Sequence, residues 1–158
     1  MSRRYRLERS QFIPRPRREV FAFFSDAANL ERITPSSLHF KILTPGPIHL
    51  AEGTLIDYEL RLIGVPIRWK TQISRFERDV EFIDVQLAGP YRYWHHRHAF
   101  ADAPGGTTMG DMVDYEMPLG VLGTVAHALF VRRQLAGIFD YRARVIDEMF
   151  EAESRRYS

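Results

Sequence analysis

At 158 residues the chain has room for one sizeable core, read as a single domain over 1–158, and its 45% hydrophobic and 13% aromatic content excludes a disordered chain. A net charge of +2, with arginines scattered among acids along nearly every segment, argues against nucleic-acid binding. Cysteine is absent, which excludes disulfides and thiolate nucleophiles. No apolar run reaches the ~18 residues of a membrane span, and the start Met-Ser-Arg-Arg-Tyr-Arg is not a secretory signal, so the expected location is the cytoplasm.

Tyr5 to Ile13 predicts an opening strand, ended by Pro14 and Pro16. From Arg17 to Ser25, Val20, Phe21 and Phe24 share one helical face, and Asp26 can cap a second short helix through Asn29 and Leu30, stopped before Pro35. Leu38 to Leu43 reads as a short strand running into a Pro45-Gly46-Pro47 loop. Thr54 to Ile63 alternates, with Ile56, Tyr58, Leu60 and Leu62 on one face. After a turn at Gly64 to Pro66, Ile67, Trp69, Thr71 and Ile73 form the next inward set. Val80 to Leu87 is a further strand, closed by Gly89-Pro90, and Trp94, His96, His98 and Phe100 share a face on the one after it. Ala103-Pro104-Gly105-Gly106 is a hairpin turn from which Thr107 to Met117 returns.

Two-sided alternation and tight hairpins predict an antiparallel sheet of about seven strands, hence an α+β fold. The last third supplies its helix. Leu135, Ile138, Phe139, Val145, Ile146 and Met149 form an apolar stripe at helical spacing. A helix over the whole of Val121 to Glu153 would run ~50 Å, whereas seven strands span ~34 Å. Val121 to His127 is therefore expected to kink or to form a separate piece, with Gly123 and Gly137 as weak points. Val121 to Phe130 is an apolar stretch that either begins an ordinary buried face or overhangs the sheet as a partner-binding surface.

The informative residues are polar ones at positions where the pattern demands apolar ones. Arg142 interrupts the helical stripe; it either snorkels past the helix edge or faces a polar cavity. Folding the hairpin about Pro104-Gly105 sets His98 opposite Asp111, His96 opposite Val113 and Trp94 opposite Tyr115, so an Asp and two His point inward. Such a set is a satisfied structural pair, a ligand-contacting wall, or a metal site in which His96 and His98 present two imidazoles and Asp111 a third ligand. A lone His-x-His is weak evidence, and no metal or other cofactor is assigned. For the strand from Val80, apolar counting favours Ile83, Val85 and Leu87 as the inward set, leaving Asp84 and Gln86 wet.

Several stretches, Asn29-Leu30-Glu31-Arg32-Ile33-Thr34-Pro35, Gly53-Thr54-Leu55-Ile56-Asp57-Tyr58, Phe82-x-Asp84-x-Gln86-x-x-Gly89-Pro90-Tyr91, Trp94-x-His96-x-His98-x-Phe100, Asp111-x-Val113-x-Tyr115 and Arg142 after Phe139, carry a family resemblance. Together they resemble the START-like (birch-pollen-allergen-like, SRPBCC) superfamily and, within it, small bacterial polyketide cyclase/dehydrase-like proteins. The resemblance implies a helix-grip fold, in which a curved antiparallel sheet wraps a long C-terminal helix, two short helices follow the first strand, and a ligand cavity lies between. It also implies that Asp84 and Gln86 face that cavity. It does not choose an activity, because the superfamily hosts lipid carriers, hormone and quinone binders, aromatic cyclases and ring-hydroxylase domains.

The leading expectation is binding of a small, largely apolar or aromatic molecule. Tyr58, Trp69, Trp94 and Tyr115 would wall it, His96, His98, Asp111 and Arg142, with Asp84 and Gln86, would supply polar contacts, and Arg142 would meet an acceptor on the ligand. The alternative is a cofactor-free cyclase or dehydratase acting on a keto substrate, with His98 as general base, Asp111 orienting it, and Arg142 or Tyr115 stabilising an enolate.

Overall fold

The computed structural model describes residues 3–156, so Met1 and Ser2 of the charged start lie outside the described residues. Strand β1 (Arg4–Ile13) leads into α1 (Arg17–Phe24), which buries the predicted Val20, Phe21 and Phe24. A 3₁₀ turn over Ala27–Leu30 follows, capped as expected by Asp26, whose carboxylate accepts from the Ala28 N–H. A second 3₁₀ turn, Ser36–Leu38, takes the start of the predicted short strand, leaving β2 only Lys41–Ile42. Strands β3 (Leu55–Leu62), β4 (Val65–Glu77), β5 (Glu81–Ala88), β6 (Tyr93–Ala103) and β7 (Gly106–Glu116) complete the sheet. The turn expected to reach Pro66 is tighter, and Pro66 lies within β4.

The seven strands are antiparallel in the order β1-β7-β6-β5-β4-β3-β2, so the chain's first strand closes against its last. Register shifts in β4 at Lys70/Thr71 and Ile73/Arg75 bend the sheet, and α1 and the terminal helix pack on its concave side. Two apolar clusters result. One joins Val20, Phe21 and Phe24 of α1 to Ile73, Phe82, Phe100, Met109 and Ile146. The other joins Trp69, Trp94, Val113 and Tyr115 to Leu135 and Phe139.

The C-terminal stretch divides, though not at a glycine. A first helix, α2 (Gly120–Ala126), passes through a π-helical turn at His127–Val131 into α3 (Arg132–Arg156). With 25 residues, α3 is ~37 Å long, matching the sheet's width. Gly137 is an ordinary position within α3. Gly123 is a contact point, since a Cβ there would lie 1.9 Å from the Pro118 carbonyl oxygen. The stripe on α3 buries Leu135, Phe139 and Ile146 as expected, and Phe150, which the stripe omitted, as well.

The buried-face expectation for Val121 to Phe130 is overturned. Val121, Leu122, Val125, Leu129 and Phe130 are exposed, and Gly123 of α2 and His127 of the π-helical turn point inward instead. His127 anchors the segment. Its ring stacks on Tyr5 at a centroid distance of 3.5 Å, and its Nε2 lies 2.7 Å from the Tyr115 hydroxyl. Burial holds the imidazole pKa below its ordinary value, and Arg132 and Arg3 add to the effect. The neutral ring's stabilisation is complete above the ordinary value of 6.5 and is lost as pH falls below it, because the unfolded chain then takes up a proton that the folded chain resists. The expected outcome is a loss of thermal stability between pH 7.5 and 5.5 that is smaller in His127→Gln than in the wild type, read from paired melting curves.

Candidate functional site

Side chains of a strand alternate faces, so three neighbouring strands with aligned polar positions converge on one spot. The hairpin register is the predicted one: His98 pairs with Asp111, His96 with Val113 and Trp94 with Tyr115. On the other side of β6, β5 pairs Phe82 with His98 and Asp84 with His96. Phe82 and Asp84 therefore point inward, while Leu87 is 52% exposed. Apolar counting had assigned β5 the opposite parity. Its error has a physical source: outward Ile83 lies between Arg75 and Arg97 of the flanking strands, whose aliphatic stems give an apolar side chain cover on the solvent face.

The result is a buried box of two carboxylates and two imidazoles. His96 Nε2 lies 2.7 Å from Asp111 Oδ1, and His98 Nε2 lies 2.8 Å from Asp84 Oδ2. Two longer diagonals close it, His96 Nδ1 to Asp84 Oδ2 at 3.4 Å and His98 Nδ1 to Asp111 Oδ1 at 3.2 Å. The rings face each other with centroids 3.7 Å apart, and Phe82 stacks on the far side of His98. Trp94 donates its Nε1–H to Asp84 Oδ1 at 3.3 Å.

Burial pushes both carboxylates up, but the surrounding imidazoles outweigh it and hold Asp84 and Asp111 below the ordinary carboxylate range. Burial and the neighbouring His98 lower the His96 pKa despite the two carboxylates. Burial opposes the His98 imidazolium too, yet the nearby carboxylates of Asp111 and Asp84 raise its pKa. Of the two imidazoles, His98 is therefore the one whose charged form its surroundings favour and His96 the one whose charged form they disfavour.

Between this box, the aromatic part of the sheet and α3 lies a cavity of about 150 Å³. Trp69 is its centrepiece, stacked on Tyr58 at 5.7 Å and meeting Trp94 edge-on at 5.1 Å. Arg142 reaches the cavity from α3, which decides between the two readings of its position. Its guanidinium carbon lies 4.9 Å from the Phe139 ring centroid, and its buried Nε has no hydrogen-bond partner. Trp69 Nε1 is likewise buried and unpartnered. The Tyr58 hydroxyl is pushed far above its ordinary pKa by burial and the nearby Asp84 charge, so it remains a neutral O–H. The wall therefore offers donors. A larger depression of about 940 Å³ lies elsewhere, between α1 and the Thr44 to Leu50 loop, and it lacks this aromatic lining.

Of the residues expected at a ligand site, Tyr58, Trp69, Asp84, Trp94, His96, His98 and Arg142 line the cavity. Gln86 faces inward but is occupied: its Nε2 donates to the Tyr91 carbonyl at 2.7 Å and its Oε1 accepts from the Tyr91 N–H at 3.2 Å. Asp111 stands behind the two imidazoles, and Tyr115 is turned to His127. Tyr91, Phe40, Gln134, Ile138 and Phe139 line the cavity without having been chosen. The Gly89-Pro90 turn before Tyr91 and the α3 stripe through Ile138 and Phe139 are the local signals that could have found three of them.

The sequence matches no protein-family model and no curated protein. Solved structures do match it. The fold is similar to the Zhui aromatase/cyclase from Streptomyces sp. R1128, with a TM-score of 0.73, 13% identity and 94% of each chain covered. It is similar to a START superfamily protein from Mycobacterium smegmatis, with a TM-score of 0.69, 12% identity, and 93% of this chain and 97% of that one covered. A nucleoside-diphosphate sugar epimerase from Corynebacterium glutamicum matches with a TM-score of 0.67 and 27% identity over 94% of this chain but 30% of that one, so there the likeness is to one part of a longer protein. The architecture is the START-like helix-grip fold. Among the described residues no helix is long and apolar enough to cross a membrane.

The box makes a sharp stability prediction. Asp111→Asn takes the charge from a buried carboxylate set against both His96 and His98, and removing one partner of a buried ion pair costs about 3–5 kcal/mol. Urea unfolding should show a loss of that order, against little change for the exposed Asp102→Asn.

Proposed function

We propose that this domain encloses one compact ligand, largely apolar or aromatic, that presents a hydrogen-bond acceptor to Arg142. The observation that carries this reading is the buried, unpartnered Nε of Arg142 at the wall of an aromatic cavity. A donor left without a partner in a buried place costs about 1–3 kcal/mol, and an acceptor on a ligand recovers it. Trp69 Nε1 adds a second such donor. The volume favours a small occupant: about 150 Å³ holds one benzene-sized ring. A carboxylate, phenolate or carbonyl on such a ring suits the charge of Arg142, and Tyr58, Trp69 and Phe139 supply its apolar contacts.

A second reading draws on Asp84, His96 and His98 in the same wall, and on the likeness to the Streptomyces aromatase/cyclase: proton transfer to or from a bound keto substrate. In that reading an imidazole of the box, His96 or His98, moves the proton, Asp111 orients it, and Arg142 stabilises the developing oxyanion.

Benzoate and phenol titrated against the quenching of Trp69 and Trp94 fluorescence test the first reading. Saturable binding is expected, weakened about 10-fold or more by Arg142→Leu with the melting temperature kept. Binding that is equal in wild type and Arg142→Leu would remove Arg142 from the account. For the second reading, turnover of a keto substrate should fall at least 100-fold in His96→Gln or in His98→Gln with substrate affinity retained.

A further inference from the structure

We propose that Asp84, His96 and His98 form a divalent-metal site opening onto the cavity, with Asp111 as the carboxylate that stands behind both imidazoles. One ligand atom from each of the three lies within 4.8 Å of the others, and all three residues line the cavity.

The orientation of the rings is the argument. Both near nitrogens, His96 Nδ1 and His98 Nε2, face a single oxygen, Asp84 Oδ2, at 3.4 and 2.8 Å. Both far nitrogens, His96 Nε2 and His98 Nδ1, face a single oxygen on the opposite side, Asp111 Oδ1, at 2.7 and 3.2 Å. A metal-ligating histidine characteristically gives its other ring N–H to a carboxylate, which fixes tautomer and ring angle. Here Asp111 Oδ1 does so for His96 at 2.7 Å, and His98 Nδ1 stands 3.2 Å from the same oxygen without completing a hydrogen bond. The other oxygen of Asp84 is tied by Trp94, which leaves Oδ2 to the near nitrogens.

Charge and spacing agree. Two carboxylates face one pair of imidazoles, and a divalent ion would offset their two negative charges. Tetrahedral ligands with bonds of ~2.0–2.1 Å stand about 3.3 Å apart, a value that the observed 2.8 and 3.4 Å bracket. Two imidazoles and one carboxylate suit zinc, iron(II) or cobalt(II), and three protein ligands leave a coordination position that faces the cavity. The His-x-His spacing alone suggested Asp111 as the third ligand; the geometry gives that place to Asp84, on the cavity side.

This site rests on the box and not on Arg142, so it stands or falls separately from the ligand reading above. The test is titration of the chelator-treated full chain with zinc(II) and with cobalt(II) in the absence of any organic ligand. Calorimetry should give one ion per chain. Nitrogen-15 correlation spectra of the histidine rings should show zinc(II) shifting His96 and His98 but not His39, His49, His95 or His127. Asp84→Asn should weaken uptake by more than about 100-fold, since even loss of an orienting carboxylate costs 10–100-fold. The absence of saturable uptake, or shifts confined to other histidines, would overturn the assignment. So would an Asp84→Asn variant that binds like the wild type. The spectra need no variant, so the test holds even if Asp84→Asn fails to fold.

Discussion

A carboxylate taken out of water must be given donors or charge, and in this protein two of them are buried against the same pair of imidazoles. That requirement ties β5, β6 and β7 together through side chains as well as through their backbone ladders. A two-residue slip of β7 that set Asp111 opposite Phe100 would carry it away from both histidines and leave a carboxylate unmatched in the interior. The same slip in an apolar sheet would only exchange one methyl contact for another. The polar box is thus a registration device as well as a candidate site.

Charge and shape divide the interior into two regions. Towards α1 the space is filled by Phe21, Phe24, Phe82, Phe100 and Ile146, packed ring on ring. Towards α3 and the β3–β4 hairpin the larger rings of Tyr58, Trp69, Tyr91 and Trp94 stand around a space that they do not close. Large flat side chains held by edge contacts leave gaps that branched aliphatic ones would fill. The box lies at the seam of the two regions, with His98 against Phe82 of the packed side and His96 against Phe139 of the hollow side.

The segment Gly120 to Val131 inverts the usual logic of an amphipathic helix. Its inward side is a glycine backed against a carbonyl and a histidine stacked on a tyrosine, and its apolar residues face out. A π-helical turn adds a residue to the helical repeat, rotating the downstream face relative to the upstream one. That rotation allows α3 to present Leu135 and Phe139 to the sheet while α2 and the π-helical turn present Gly123 and His127.

Some of this was determined by the sequence alone. Alternation with period two placed Trp94, His96, His98 and Phe100 on one face, and the Pro104-Gly105 turn set their partners on β7, because a tight hairpin leaves no freedom of register. The α3 stripe was legible for the same local reason. What depended on neighbours distant in sequence was not legible. The parity of β5 turned on arginine stems from β4 and β6, the inward side of α2 on an aromatic partner in β1, and the box on diagonal contacts. His98 faces Asp111 along the backbone, yet the shortest bond of Asp111 is to His96. Whether Arg142 met solvent or a hollow was likewise decided by the aromatic wall opposite it, since a helix pattern specifies which face a residue occupies but not how completely the facing sheet fills the space.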